Sequence, residues 1–489
     1  MRHGRFAALI LLLLSACAPI PTPTPVVGGG TALLIATPTR MNAASPTAIP
    51  SATPTRTPTA TRTTVPTASP TAIPSATRTP KPPAAAKFTD EARTMYIDSG
   101  VVRVGVDKDW GGAIREIWFN GQNLVNNWDG GRLIAVSAYD GDAKTGWQVN
   151  TPDWGWNPCP SDKHDNLNRP IEYSFDNGIL YVQARYLEWN PDNKGGGKGR
   201  PVSTDVVVET WIKFLSDDPH AINVRYRVTH EGPDTHALAG QEMGFAYVRT
   251  PFNRFVSYSG NAPWTGALPK VETLSPFADT GANAMGVTAA TEGWAAFVNS
   301  EDVGLSVWAP QSYPIFSRAY FPADRAEAST YYMGPRAFFA IGPGFSHEME
   351  VFLFAGRWQE ARTLFNLLRQ EVDLPDVMPT FGHVDVPAQN ATVSSAIAVS
   401  GWAIDNRSVA KVEVFLDGTR VAQATYGLAR EGVDHDYPGL TGAPNFGFVY
   451  QLDTRASANG SHVLEVRASD TAGNTSLLRP GKLTINIRN

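Results

Sequence analysis

Acidic residues are missing from a long stretch of this chain. Between residues 18 and 86 there is no Asp or Glu, only Arg40, Arg56, Arg62, Arg78 and Lys81. Seven of the 41 basic residues precede Lys87, so 34 remain against all 46 acidic ones, a formal charge of −12 from Lys87 onward. That balance argues against nucleic acid as a partner of the later region. Cysteine is nearly absent: Cys17 and Cys159 are the only two in 489 residues, which allows at most one disulfide. Long apolar runs are missing as well. The run 6–14 is nine residues, well short of the ~20 needed to span a bilayer as a helix. There is no P-loop, no dinucleotide-binding glycine pattern, no His-Glu-x-x-His and no Gly-x-Ser-x-Gly, so no nucleotide, zincin or serine-hydrolase chemistry is indicated and no cofactor is expected.

What is there begins with an address. Arg2 and Arg5, the apolar run 6–14 and the small residues before Cys17 read as a secretory signal. The ending Leu14-Ser15-Ala16-Cys17 resembles the lipobox of bacterial lipoproteins. That resemblance implies removal of residues 1–16, a lipid on Cys17 and an extracytoplasmic protein tied to the bacterial cell membrane. Cys159 would then stand alone with no intrachain disulfide; no Cys-His signature surrounds it, and a small packed or partly exposed thiol is expected rather than a nucleophile.

Residues 17–86 form a Pro/Thr-rich linker with an internal repeat, 45–53 recurring as 69–77. Such a tract lacks backbone donors and apolar content together, so no core is expected. Extended at ~3.1 Å per residue it would reach on the order of 200 Å.

Residues 87–375 read as β. Short alternating or β-branched runs at 101–106, 179–184, 205–214, 222–228 and 349–354 are punctuated by Gly, Pro, Asn and Asp. The exception is 358–371, where Ala361, Leu364, Phe365 and Leu368 fall at helical spacing. A second β segment spans 380–489. Val412, Val414 and Leu416 alternate before Asp417-Gly418 turns the chain into 420–424, a hairpin signal.

Two further resemblances follow from particular residues. Val399-Ser400-Gly401-Trp402-Ala403-Ile404-Asp405, the hairpin after Val412, and the stretch from Asn459 to Asn474 look like the immunoglobulin-like modules of bacterial surface proteins. Gly111-Gly112-Ala113-Ile114-Arg115-Glu116-Ile117, Asn123-Leu124-Val125-Asn126-Asn127 and Asp129-Gly130-Gly131-Arg132, with Gln241-Glu242-Met243 and the run from Tyr258 to Trp264, resemble carbohydrate-active β-supersandwiches of the galactose-mutarotase-like type. The implied fold class is all-β: a large supersandwich, then an immunoglobulin-like sandwich. The His and Glu of true aldose epimerases do not align onto positions here, so the resemblance leaves the activity open among glycoside hydrolase, polysaccharide lyase and epimerase types, or none.

The residues themselves suit a sugar ligand. Six of the 13 Trp lie between Trp110 and Trp156, and Trp154 and Trp156 stand in a turn-rich loop, where binding groups concentrate. The expected carbohydrate-binding residues are Trp154, Trp156, Asp129, Arg132, Tyr258 and Trp264. Asp129 and Arg132 have an equal alternative, pairing with each other. Trp118 and Trp211 are expected in the core. Glu242, in an apolar setting beside Met243 and Phe245, is the carboxylate best suited to general acid or base work; its alternative is a structural pair with a nearby Arg. His230 or His164 would be its proton-transfer partner, and His236 lies within reach of the same cleft. Asp162, His164 and Asp165 cluster, but their spacing alone assigns no metal. Carbohydrate or a cell-surface glycan is the expected partner; a non-enzymatic adhesin or cell-wall scaffold is the competing reading.

Overall fold

Alternation of side chains along each strand builds two large antiparallel sheets with an apolar layer between them. A computed structural model describes residues 85–141, 155–193, 199–274 and 286–489; Cys17, the Pro/Thr-rich tract to residue 84 and Trp154 lie outside them. No helix among the described residues is long and apolar enough to cross a membrane.

The first sheet runs in the order Lys87–Asp90, Thr94–Asp98, Val102–Asp107, Ile114–Phe119, Ile134–Ser137, His236–Arg249, Thr330–Ile341, Ile315–Phe321, Gly286–Ala289. The second runs Lys270–Thr273, Arg254–Ser257, Trp294–Val298, Val303–Trp308, Ser346–Arg357, Asp218–His230, Ser203–Leu215, Ile179–Glu188, Pro158–Cys159. Inward residues such as Val104, Val136, Val224, Tyr226, Met243 and Val351 form one continuous core.

The two outer faces differ. On the second sheet, Val224, Tyr226 and Val228 point in while Arg225 and Arg227 point out to Glu348 and Glu209. Trp211 lies under those two guanidiniums, 4.0 and 5.1 Å from its ring centre. This is a solvated ion-pair ladder, and it corrects the expectation that Trp211 is core. Trp118 also departs from expectation: it is 38% exposed and its Nε1 donates to Glu116 at 2.7 Å. On the first sheet, by contrast, the central strands His236–Arg249 and Thr330–Ile341 are buried along most of their length on both faces.

The helix Trp358–Glu371 buries Ala361 and Phe365 against Trp294 and Trp308 of the second sheet, the packing role its spacing implied. The C-terminal segment folds as a four-stranded sheet, Phe381–Val386, Ala396–Ile404, Gly447–Asp453, Thr425–Leu428, facing a six-stranded one centred on Gly460–Asp470 and Val409–Leu416. The hairpin from Val409–Leu416 into Thr419–Gln423 turns through Asp417 and Gly418, both at positive φ (51° and 78°), the left-handed pair a tight two-residue turn requires. This segment docks on the supersandwich through Phe381, Trp402 and Tyr437, with Phe381 stacked 4.9 Å from Phe338. The expected all-β class, a large supersandwich followed by an immunoglobulin-like sandwich, is the fold the chain adopts.

Candidate functional site

Glu242 sits mid-strand in His236–Arg249, and a bulge decides what shares its face. Gly244, at φ 90°, breaks the register with both neighbouring strands. A Cβ at this position would point inward, 2.8 Å from Val351. Because Met243 and Gly244 both turn inward, Phe245 and Tyr247 rejoin Glu242 on the outer face of the first sheet.

The carboxylate is 5% exposed and engaged on both oxygens. Arg336, directly opposite in the register, places Nη2 3.0 Å from Oε1, and the Tyr332 hydroxyl donates to the same oxygen. The Tyr139 hydroxyl donates to Oε2 at 2.8 Å. Arg336 is itself 1% exposed; its Nε donates to Ser317 Oγ at 2.6 Å and Nη1 to the Gly240 carbonyl at 3.1 Å. Burial first, and then the charge of Glu242, holds the Tyr139 and Tyr332 hydroxyls well above the ordinary phenol range, so both remain donors. The apolar setting expected for Glu242 is thus corrected to a polar one, and its alternative, a carboxylate paired with Arg, describes its contacts.

Around this centre lie two further groups. Phe245, Tyr247, Phe321 and Tyr332 contact one another with ring centres 5.0–6.5 Å apart, and Tyr247 and Phe321 are partly exposed. On the other side, Ser137 Oγ lies 3.2 Å from the Cys159 thiol, which reaches Asn157 Oδ1 at 3.0 Å. Cys159 is buried and free, and burial pushes its thiol up, away from thiolate chemistry.

The other expected site residues divide among three places. Trp156 is buried and lies flat on His236, ring centres 3.4 Å apart at 8°, with His230 edge-on at 5.9 Å. The expectation that Trp156 presents its ring to a sugar is corrected: it is buried, and one ring face is taken by an imidazole. His164 pairs with Asp192 at 2.8 Å, and Asp162, wholly buried, accepts from the backbone of His164 and Asn166. That loop is self-bracing, and no hydrogen bond joins His164 to Glu242. Asp129 and Arg132 pair with each other at 2.9 Å, the second of their two readings. Tyr258 and Trp264 belong to the second sheet's edge, not to the Glu242 face. Tyr258 is 5% exposed and donates to the Ala262 carbonyl, while Trp264 N–H donates to Glu292, whose carboxylate also takes both forks of Arg362 from the helix.

Sequence reasoning missed Arg336, Tyr139 and Tyr332. One signal was present: Arg336 is a lone charge in an aromatic strand, Tyr331-Tyr332-Met333-Gly334-Pro335-Arg336-Ala337-Phe338, and a buried guanidinium requires a carboxylate partner. Two groups among the described residues could share a cation, His230 with Asp234 and His236, and Asp376 with Asp405 and Asp470.

The strand order defines the class as an all-β, two-sheet supersandwich with an immunoglobulin-like module after it. Residues 382–466 match the family model of bacterial Ig domains. No curated protein matches the sequence. Among solved structures, the chain is similar to a galactose mutarotase-like protein from Clostridium acetobutylicum, 9% identical over 56% of this chain and 98% of that one, TM-score 0.34. It is also similar to a polysaccharide lyase, 12% identical over 82% of this chain and 47% of that one, TM-score 0.27. The fibronectin(III)-like modules of Clostridium thermocellum CbhA are 15% identical over 22% of this chain and 93% of theirs, TM-score 0.16. At these values the likenesses carry nothing about chemistry.

Proposed function

We propose that this chain is a lipid-anchored, extracytoplasmic protein that binds carbohydrate on the outer face of the first sheet, with Glu242 at the centre of the site. The observation that carries the reading is a fixed carboxylate beside partly exposed aromatic rings. Sugars offer apolar C–H faces to rings and hydroxyl edges to charged acceptors and donors, and a mixed site of this kind suits a small polar ligand. Tyr247 and Phe321 supply the ring surface; Glu242 and Tyr139 supply the polar edge. In turnover, Glu242 is the acceptor for a substrate proton and Tyr139 the group relaying it, since their oxygens already share one hydrogen bond. The basic N-terminus, short apolar run and Leu14-Ser15-Ala16-Cys17 support the anchored location. The near-complete occupation of both Glu242 oxygens favours binding without turnover as the second reading.

Proton NMR of a panel of defined oligosaccharides with the full chain tests this. New or interconverting anomeric signals report chemistry, and line broadening reports binding alone. Tyr139→Phe, which removes one donor and leaves the ion pair, is expected to reduce either signal at least tenfold, as is Tyr247→Ala. Spectra unchanged across the panel, or signals indifferent to both substitutions, would reject this face as the site. Separately, incorporation of labelled fatty acid that persists in Cys17→Ala would reject the anchor.

A further inference from the structure

Where the second sheet hands the chain to the first, two buried imidazoles face two carboxylates. His230 ends the strand Asp218–His230 and His236 opens His236–Arg249, joined by residues 231–235. His230 is 0% and His236 5% exposed. His230 Nδ1 lies 2.9 Å from the Gly342 carbonyl and His236 Nδ1 lies 3.2 Å from Asp140 Oδ1. Both partners only accept, so each Nδ1 carries a proton, and the neutral form of each ring turns a lone pair outward on Nε2.

Those lone pairs meet acceptors. His230 Nε2 is 3.1 Å from Asp205 Oδ2 and 3.4 Å from Asp234 Oδ1; His236 Nε2 is 3.4 Å from Asp234 Oδ2. Neither Nε2 makes a hydrogen bond, although both are buried. Electron pairs converging on one another without a proton between them are stabilised by a cation, and an Nδ1–H held by a carbonyl or carboxylate is how ligating histidines are oriented. The spacing fits as well. Ligands ~2.1 Å from a tetrahedral zinc ion lie ~3.4 Å from one another, the distance that separates Asp234 from each imidazole Nε2.

Gly232 keeps the place open: a Cβ there would stand 1.7 Å from Asp205 Oδ2 and 2.7 Å from His230 Nε2. Trp156, flat on His236, walls one side. We infer that His230, His236 and Asp234, whose ligand atoms lie within 4.8 Å of one another, bind one divalent transition-metal ion of the zinc class. Two imidazole nitrogens select such an ion over calcium or magnesium, which take oxygen ligands.

The test is calorimetric titration of tag-free, chelator-stripped full chain with Zn²⁺, together with the visible spectrum of the Co²⁺ form. One ion per chain is expected, with Co²⁺ absorption abolished by added Zn²⁺. Asp234→Asn, at a side chain 57% exposed, and Gly232→Ala are each expected to weaken binding at least tenfold with circular dichroism unchanged. Asp405→Asn, in the other carboxylate group, leaves the titration as in the wild type. Absence of stoichiometric binding by the wild type, or binding undiminished in both Asp234→Asn and Gly232→Ala, would overturn the inference.

Discussion

Glu242 and Arg336 together explain why an ion pair persists inside an aromatic strand pair. Arg336 is 1% exposed and touches the Gly240 carbonyl, Ser317 and Glu242. Removing the Glu242 charge breaks a buried ion pair, a loss of ~3–5 kcal/mol. Glu242→Gln is therefore expected to lower the unfolding free energy from urea titration by that much. Tyr139→Phe, which removes one donor from a satisfied acceptor, is expected to cost ~1 kcal/mol. Equal losses for Glu242→Gln and Tyr139→Phe in denaturant titrations would show that the ion pair is not what holds this centre.

At the scale of elements, the bulge at Gly244 gives the face its composition. An alanine there takes up a strained positive φ and presses on Val351 at 2.8 Å. We expect Gly244→Ala to destabilise by ~2–4 kcal/mol, the sum of backbone strain and overpacking, and to weaken saccharide binding by moving Phe245 and Tyr247 relative to Glu242. A variant as stable as wild type, with unchanged binding, would mean the strand tolerates another register. The same element shows what local sequence conveys. The helix Trp358–Glu371 and the Asp417-Gly418 hairpin were legible because their signals, helical spacing and a left-handed turn pair, lie within a few residues. Trp118 and Trp211 were misassigned because which face of a strand is solvated depends on what packs across it. Glu242 was legible as a candidate, yet Tyr139 and Arg336 lie about a hundred residues away in opposite directions, and only strand order brings them together. His230 and His236 were named for their place near the cleft; that His230 Nε2 faces Asp205 and His236 Nδ1 faces Asp140 depends on other segments.

For the molecule as a whole, the joint between the supersandwich and the immunoglobulin-like module is the place where pH acts. Asn474 donates to the carbonyls of Asp376 and Met378, Arg407 to that of Leu374 and Asn406 to that of Gln311, so the module is bonded to the sandwich at several points. Inside this joint Asp376, Asp405 and Asp470 bring carboxylate oxygens within 4.8 Å of one another. Asp405 accepts from the backbone of Arg407 and Ser408 through Oδ1, while its Oδ2 is buried without a donor. The cation at hand is Arg407, half-exposed and 3.5 Å from Asp376. Burial, with the charges of Asp376 and Asp470 adding to it, raises Asp405 to about 7, and burial raises Asp376 as well. The folded state therefore holds a proton that the unfolded chain releases near pH 4. This contribution is fully present below pH ~4 and is lost as pH rises through about 7, a swing of roughly 4 kcal/mol from Asp405. In EDTA, so that no cation bridges the carboxylates, Tm is expected to fall between pH 5 and pH 8. Asp405→Asn should flatten that fall and melt higher than wild type at pH 8, since the amide keeps the shape without the charge. Parallel Tm–pH curves for the two proteins would mean that Asp405 is ionised throughout and that the joint tolerates three charges.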